Sequence, residues 1–124
     1  MKLVLFEKQV ITSLLSDQFP QNTLTIWVDG LDVVKRDFNG YGYYLYFREF
    51  ANNSLGKIIK PNGQKPTQGS YFENFDKHDI GFILWMNENG EHSLECYPYD
   101  DKPIKQSILR TEVSIHSHAR RSQT

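Results

Sequence analysis

The stretch IGFILWMNENGEHSLECYPYDD, Ile80 to Asp101, narrows the fold more than any other part of the chain. Two runs of large apolar side chains flank Asn89-Gly90, and a two-residue Asn-Gly turn is of type I′, whose paired positive φ angles these residues tolerate. Such a turn pairs Glu88 with Glu91, Met86 with Ser93, Trp85 with Leu94 and Ile83 with Cys96. One face of the hairpin then carries Ile83, Trp85, Leu94 and Cys96, and the other sets Phe82, Leu84 and Met86 against Tyr97, Glu95 and Ser93. A hairpin that is partly apolar on both faces belongs inside a sheet, with one side on the core and the other under a helix or loop.

Earlier in the chain, Phe6, Val10, Leu14 and Leu15 recur at helical spacing, which predicts an amphipathic helix of about three turns ended by Pro20. In TLTIWVDGLDVVKRDF, Leu24, Ile26 and Val28 alternate with Thr23, Thr25 and Trp27. That alternation predicts a strand broken at Asp29-Gly30, with Leu31 to Phe38 returning as its hairpin partner. GYGYYLYFREF places Tyr41, Tyr43, Leu45 and Phe47 on one strand face and Tyr44, Tyr46 and Arg48 on the other; Gly40 and Gly42 mark a bulge or close backbone approach at its start. Residues 51–70, rich in Asn, Gly, Pro and Lys, read as a flexible surface loop. Beyond the central hairpin, Pro98 and Pro103 interrupt the ladder, and Lys105 to Arg110 fits a helical turn or a short strand. Thr111 to His116 reads as a last strand, and residues 118–124 as a frayed tail. The sum is a single α+β domain over residues 1–124: a mainly antiparallel sheet of five to six strands packed with an N-terminal helix.

Charge narrows the function classes. The net charge is only -1, but Glu73, Asp76, Asp79, Glu88, Glu91, Glu95, Asp100 and Asp101 face a single Lys77 in the segment from Glu73 to Asp101. A basic footprint over the whole domain, as general nucleic-acid binding requires, is absent. One cysteine cannot form an internal disulfide, and with no CxxC or Cys/His cluster a structural zinc site lacks support. A reducing cytosol fits best, and the start MKLVLFEKQVITSLL reads as neither a signal peptide nor a membrane span, because Glu7 and Lys8 interrupt its apolar run.

Four constellations can carry chemistry. Glu95, in apolar company with Tyr97 and Tyr99 nearby in the chain, suits a general acid or base of raised pKa; the simpler reading, which outweighs it, is a carboxylate accepting hydrogen bonds from backbone or a tyrosine, or sitting at the wet margin of a strand. Cys96 becomes a nucleophile only if His78, His92, His116 or His118 approaches it, and its pairing with Ile83 favours an inert core thiol. His116 and His118 share a face if the last strand continues, but two imidazoles near a chain end are more simply a solvated pair than a metal site. The tyrosine strand, with Lys35, Arg36 and Arg48, can stack bases, although an aromatic strand more often packs a core and an interface. KRDFNGYGYYLYF has no phosphate-loop spacing and enters a strand rather than a helix.

Two segments carry a resemblance. Arg36, Asp37, Phe38, Gly40, Gly42 and Tyr43, followed by Gly81, Phe82, Ile83, Leu84 and then Leu94, Glu95, Tyr97 and Tyr99, resemble an R-[DE]-[FY]-x-G-x-G-[FY] segment and a G-F-[IL]-L hairpin ending in L-E-x-Y-x-Y. A loose group of short bacterial proteins of unknown function shows these patterns. Members of that group are suspected to accompany toxin modules of bacterial competition systems, so the resemblance implies an immunity protein and supplies no catalytic residue. Cys96 departs from the small residue, such as glycine, expected at its position.

The leading expectation is a non-catalytic, cytoplasmic protein-binding module, an immunity protein that occludes a toxin domain through an acidic, tyrosine-bearing surface. That surface comprises Glu88, Glu91, Glu95, Tyr97, Tyr99, Asp100 and Asp101. The alternatives are a small-ligand protein or enzyme with a pocket at Glu95, Tyr97 and Tyr99, and single-stranded nucleic-acid binding by the tyrosine strand. No cofactor, metal or membrane partner is called for.

Overall fold

The structure, a computed structural model, describes residues 1–50, 67–87 and 89–117. Within them the chain is an α+β fold in which two helices pack on one face of an antiparallel sheet. Helix α1 spans Leu5–Leu15 and α2 spans Gln21–Asp29. The strands are β1 (Asp32–Phe38), β2 (Tyr43–Arg48), β3 (Thr67–Glu73), β4 (Asp76–Trp85), β5 (Glu91–Pro98) and β6 (Ser114–Ser117), in the order β1-β2-β5-β4-β3-β6. Every neighbouring pair in that order runs antiparallel.

Helix α1 follows the predicted stripe: Phe6, Val10, Ile11, Leu14 and Leu15 are buried, with Phe6 set against Tyr43 and Phe82 of the sheet. Its first turn is held by Glu7, which accepts the Val4 N–H at 2.9 Å. The expected strand over Leu24 to Val28 is instead α2. Leu24, Trp27, Val28 and Leu31 are buried at spacings of three, four and seven residues, while Ile26 stays 67% exposed. Alternation and helical periodicity share Leu24 and Val28, and what separates them is whether Ile26 or the larger Trp27 goes inside. Fully burying a large apolar side chain contributes about 1.5–3 kcal/mol, whereas helix propensities of ordinary residues differ by about 0.7 kcal/mol at most, so burial decides. Pro20 therefore does not merely stop the first helix; it caps the second, its carbonyl accepting the Leu24 N–H.

With α2 helical, β1 pairs with β2 instead, and carries a bulge between Val33 and Lys35. The expectation for β2 holds from Tyr43 onward: Tyr43, Leu45 and Phe47 are buried, and Tyr46 and Arg48 point out. Tyr41 lies before the strand and is exposed. Gly42 is a close approach, since a Cβ there would sit 2.8 Å from the Cys96 carbonyl oxygen. Residues 67–70, expected in the surface loop, belong to β3; the rest of that loop and the tail from 118 lie outside the described residues. Gln106–Arg110 forms a 3₁₀ turn, and the last strand begins at Ser114 rather than Thr111.

The central hairpin forms one residue out of the expected register. Trp85 pairs with Ser93, Leu84 with Leu94, Ile83 with Glu95, Phe82 with Cys96 and Gly81 with Tyr97. Asn89-Gly90 is part of a longer connection. Gly90 donates its N–H to the Asn87 carbonyl and holds φ +82, Asn87 donates its own N–H to His92 Nδ1, and its side chain donates to the Glu91 carbonyl. A one-residue slip exchanges the faces of one strand relative to the other. The result sorts the hairpin cleanly: Ile80, Phe82, Leu84, Leu94 and Cys96 are fully buried under the helices, and Gly81, Ile83, Trp85, Ser93, Glu95 and Tyr97 form the opposite face.

Two buried polar clusters tie the layers together. Glu7, fully buried, receives both Arg36 Nε and an Arg36 terminal nitrogen at 2.8 Å, and the Tyr43 hydroxyl donates to it as well. Glu49, with a side chain only 2% exposed, accepts Trp27 Nε1–H at 2.7 Å and contacts His92 Nε2 at 2.6 Å. The tip of the β3–β4 hairpin is less comfortable. Asn74 and Phe75 connect the Glu73–Asp76 pair with φ of 51° and 70°, and Phe75 is 100% exposed.

Candidate functional site

With both helices on one side, the other side of the sheet is not covered by any described helix. On it the strands β2, β5 and β4 bring together Tyr44 and Tyr46, then Ser93, Glu95 and Tyr97, then Ile83 and Trp85. Tyr46 and Trp85 are substantially exposed, and Tyr44, Ile83, Glu95 and Tyr97 are half-buried. Cross-strand pairing puts Glu95 between Tyr44 on β2 and Ile83 on β4. Tyr44 and Tyr46 lie nearly parallel, with ring centroids 6.2 Å apart and planes 13° from each other.

Tyr97 lies flat over its cross-strand partner Gly81, where a Cβ would fall 2.3 Å from the ring. Glycine is therefore required at 81 for the ring to settle there. Tyr99, 46% exposed, meets Tyr97 edge-on at 5.3 Å, and their hydroxyls are 3.3 Å apart. Burial and then the contact with Tyr99 hold the Tyr97 hydroxyl well above the ordinary phenol range. Burial and then the Glu95 carboxylate likewise raise Tyr44.

The expected site residues divide. Glu91, Glu95 and Tyr97 share the open face, and Tyr99 continues it beyond β5. Asp100 is turned to the hairpin exit: it accepts the Asp79 and Lys102 N–H groups and approaches His78 Nδ1 at 3.3 Å. Asp101, at φ +61, is exposed on the same turn. Glu88 lies outside the described residues. The face also holds two residues outside the expected docking surface: Tyr46, which strand alternation already turned to this side, and Trp85, which was expected in the core and whose direction only the correct register reveals.

No family model matches the chain, and neither a curated protein nor a solved structure matches it. Chemistry must therefore be read from the geometry alone.

Cys96 faces Phe82 rather than Ile83 and is fully buried; burial, then Glu7 and Glu95, push its thiol up, away from the reactive thiolate. His92 uses Nδ1 to accept the Asn87 N–H and Nε2 to contact Glu49, so both nitrogens are committed to structure. Glu95 and Cys96 point to opposite faces, as alternation requires. Arg36, one of three cations considered for nucleic-acid contacts, is turned inward to Glu7, which raises its already high pKa. His118 and the side chain of His116 lie outside the described residues, and among those described no group of three or more His, Cys, Asp and Glu is arranged to hold a metal ion. No described helix is long and apolar enough to cross a membrane. A hollow of about 430 Å³ opens at the edge of the aromatic face, bordered by Val34, Lys35, Tyr46, Glu91 and Ser93.

Proposed function

We propose that the chain is a non-catalytic protein-binding module whose docking surface is the open face of β2, β5 and β4. The observation that carries this reading is the sheet face bearing Tyr44, Tyr46, Ile83, Trp85 and Tyr97 with Glu91 and Glu95 among them. Aromatic rings of this kind supply large contact area at low conformational cost and are enriched at the energetic centres of interfaces, while carboxylates steer encounter with a basic partner. The resemblance to proteins found beside toxin modules puts the partner in the class of toxin domains, with this chain as the immunity protein.

The test is titration against candidate nuclease toxin domains. Trp85→Ala and Tyr46→Ala should each weaken binding by about tenfold or more, the loss expected of a buried aromatic anchor. Neutralising Glu91 and Glu95 should slow association and flatten its salt dependence. Unchanged affinity in the aromatic variants removes this face from consideration.

Single-stranded nucleic acid is a second reading, favoured by the near-parallel Tyr44 and Tyr46 rings. The carboxylates of Asp37, Glu91 and Glu95 on the same face oppose it. A salt-dependent shift with oligonucleotides, lost in Tyr44→Ala, would favour nucleic acid over protein.

A further inference from the structure

Glu95 occupies an unusual place on the open face. It is half-buried, and among the described residues it carries no ion pair. Its cross-strand neighbours are Tyr44 and Ile83, its neighbours along β5 are Ser93 and Tyr97, and Tyr46 and Trp85 stand on the diagonals. Beyond Tyr44 in the same row lies Asp37, a second carboxylate with no ion pair among the described residues. The described cations on this side are otherwise engaged or peripheral: Arg48 pairs with Asp32 at 3.2 Å, Lys77 with Asp79 at 3.9 Å, and Lys35 extends exposed at the sheet edge.

A carboxylate taken partly out of water without a counter-charge costs free energy; the Tyr44 hydroxyl donates to Glu95, but among the described residues no cation balances its charge. Tyrosine and tryptophan rings present negative faces that attract a cation. A carboxylate ringed by such faces is complementary to a guanidinium, which is planar, stacks on aromatic rings and reaches two carboxylate oxygens at once; an ammonium offers only a point charge. We propose that Glu95 and the rings of Tyr44, Tyr46, Tyr97 and Trp85 form the docking site for an arginine side chain of the protein partner. The inference rests on the open face being the docking surface, and it names the chemical group that face receives.

The full chain, uniformly labelled with ¹⁵N, is titrated with the blocked peptide Gly-Gly-Arg-Gly-Gly and with its lysine and citrulline analogues, monitored by amide and indole chemical shifts. The arginine peptide should give saturable shifts confined to Tyr44, Tyr46, Ile83, Trp85, Glu95 and Tyr97. The lysine peptide should bind about threefold more weakly, because it loses the planar stacking and bidentate contact. The citrulline peptide, which has a similar shape without the charge, should not saturate. Glu95→Gln should weaken the arginine peptide about tenfold, the size of a lost charge-assisted contact, and Asp101→Asn should leave it unchanged. The proposal is overturned if the arginine peptide gives no saturable shift, if citrulline matches arginine, or if the shifts centre on the Asp100–Asp101 turn. Failure here with toxin binding still sensitive to Trp85→Ala discards the arginine site alone, whereas loss of that sensitivity discards the docking face.

Discussion

Replacing Phe75 with glycine should make the protein more stable, although it deletes a large apolar side chain. Asn74 and Phe75 both hold positive φ in a two-residue turn, and a left-handed conformation costs a residue other than glycine about 1–2 kcal/mol. Asparagine tolerates this conformation through its short polar side chain, but phenylalanine has no such relief. The Phe75 ring is 100% exposed, so its removal sacrifices no burial. Against the relieved strain stands the greater unfolded-state freedom of glycine, worth about 0.4–1 kcal/mol. The net gain is about 0.5–1 kcal/mol, which for a chain of this length raises Tm by about 2–4 °C. Urea unfolding followed by far-ultraviolet circular dichroism should show a higher midpoint with an unchanged slope. Phe75→Ala is the control: it removes the ring but keeps the Cβ and its strain, and should leave the midpoint nearly where it was. A Phe75→Gly midpoint at or below the unsubstituted value would refute the strain argument, and an equal gain in Phe75→Ala would assign the benefit to ring exposure rather than backbone.

Three further outcomes follow from the packing. Gly81→Ala should lower stability by about 1–3 kcal/mol because the new methyl displaces the Tyr97 ring, whereas in a Tyr97→Ala background the same change should cost little; simple additivity in the double variant would contradict the stacked geometry. Cys96 should resist thiol reagents in the folded protein and react once the chain is unfolded, so rapid labelling of the native form would contradict its burial. Tyr71, buried beside His78, has its hydroxyl pushed up to about 12. The folded state thus keeps a proton that the unfolded state releases near pH 10, and this contribution to stability, complete below pH 10, is lost as pH rises toward 12. Ultraviolet titration of the phenols, compared with Tyr71→Phe, should show that site ionising late.

Local periodicity carried the parts of the fold that depend on one element at a time. The stripe of α1 and the alternation of Tyr43, Leu45 and Phe47 were both readable, and Asn89-Gly90 rightly announced a hairpin. Three features resisted for identifiable reasons. Leu24 and Val28 satisfy both periods, and only the burial of Trp27 against Phe47 distinguishes them. The hairpin register is degenerate in the sequence, because Phe82, Leu84 and Met86 compete with Ile83 and Trp85 for the core, and the Asn87 N–H donated to His92 Nδ1 beside the turn has no local sequence signal. The buried Glu7–Arg36 and Glu49–His92 contacts join residues 29 and 43 positions apart, a separation that no local pattern encodes. For the site, Glu95 and Tyr97 were found because they alternate along β5; Trp85 was assigned to the core because it moved with the register.

The two tryptophans end up in opposite worlds. Trp27 is 1% exposed, with its indole N–H donated to Glu49, and Trp85 is 42% exposed on the aromatic face. Their emission should therefore answer different questions. Trp27 reports whether the helices still cover the sheet, and Trp85 reports what has landed on the other side. A blue shift that disappears in Trp85→Phe marks docking, while a red shift that survives in the same variant marks loosening of the core. The protein thus carries a built-in means of telling a partner that binds it from one that unfolds it, readable without any added label.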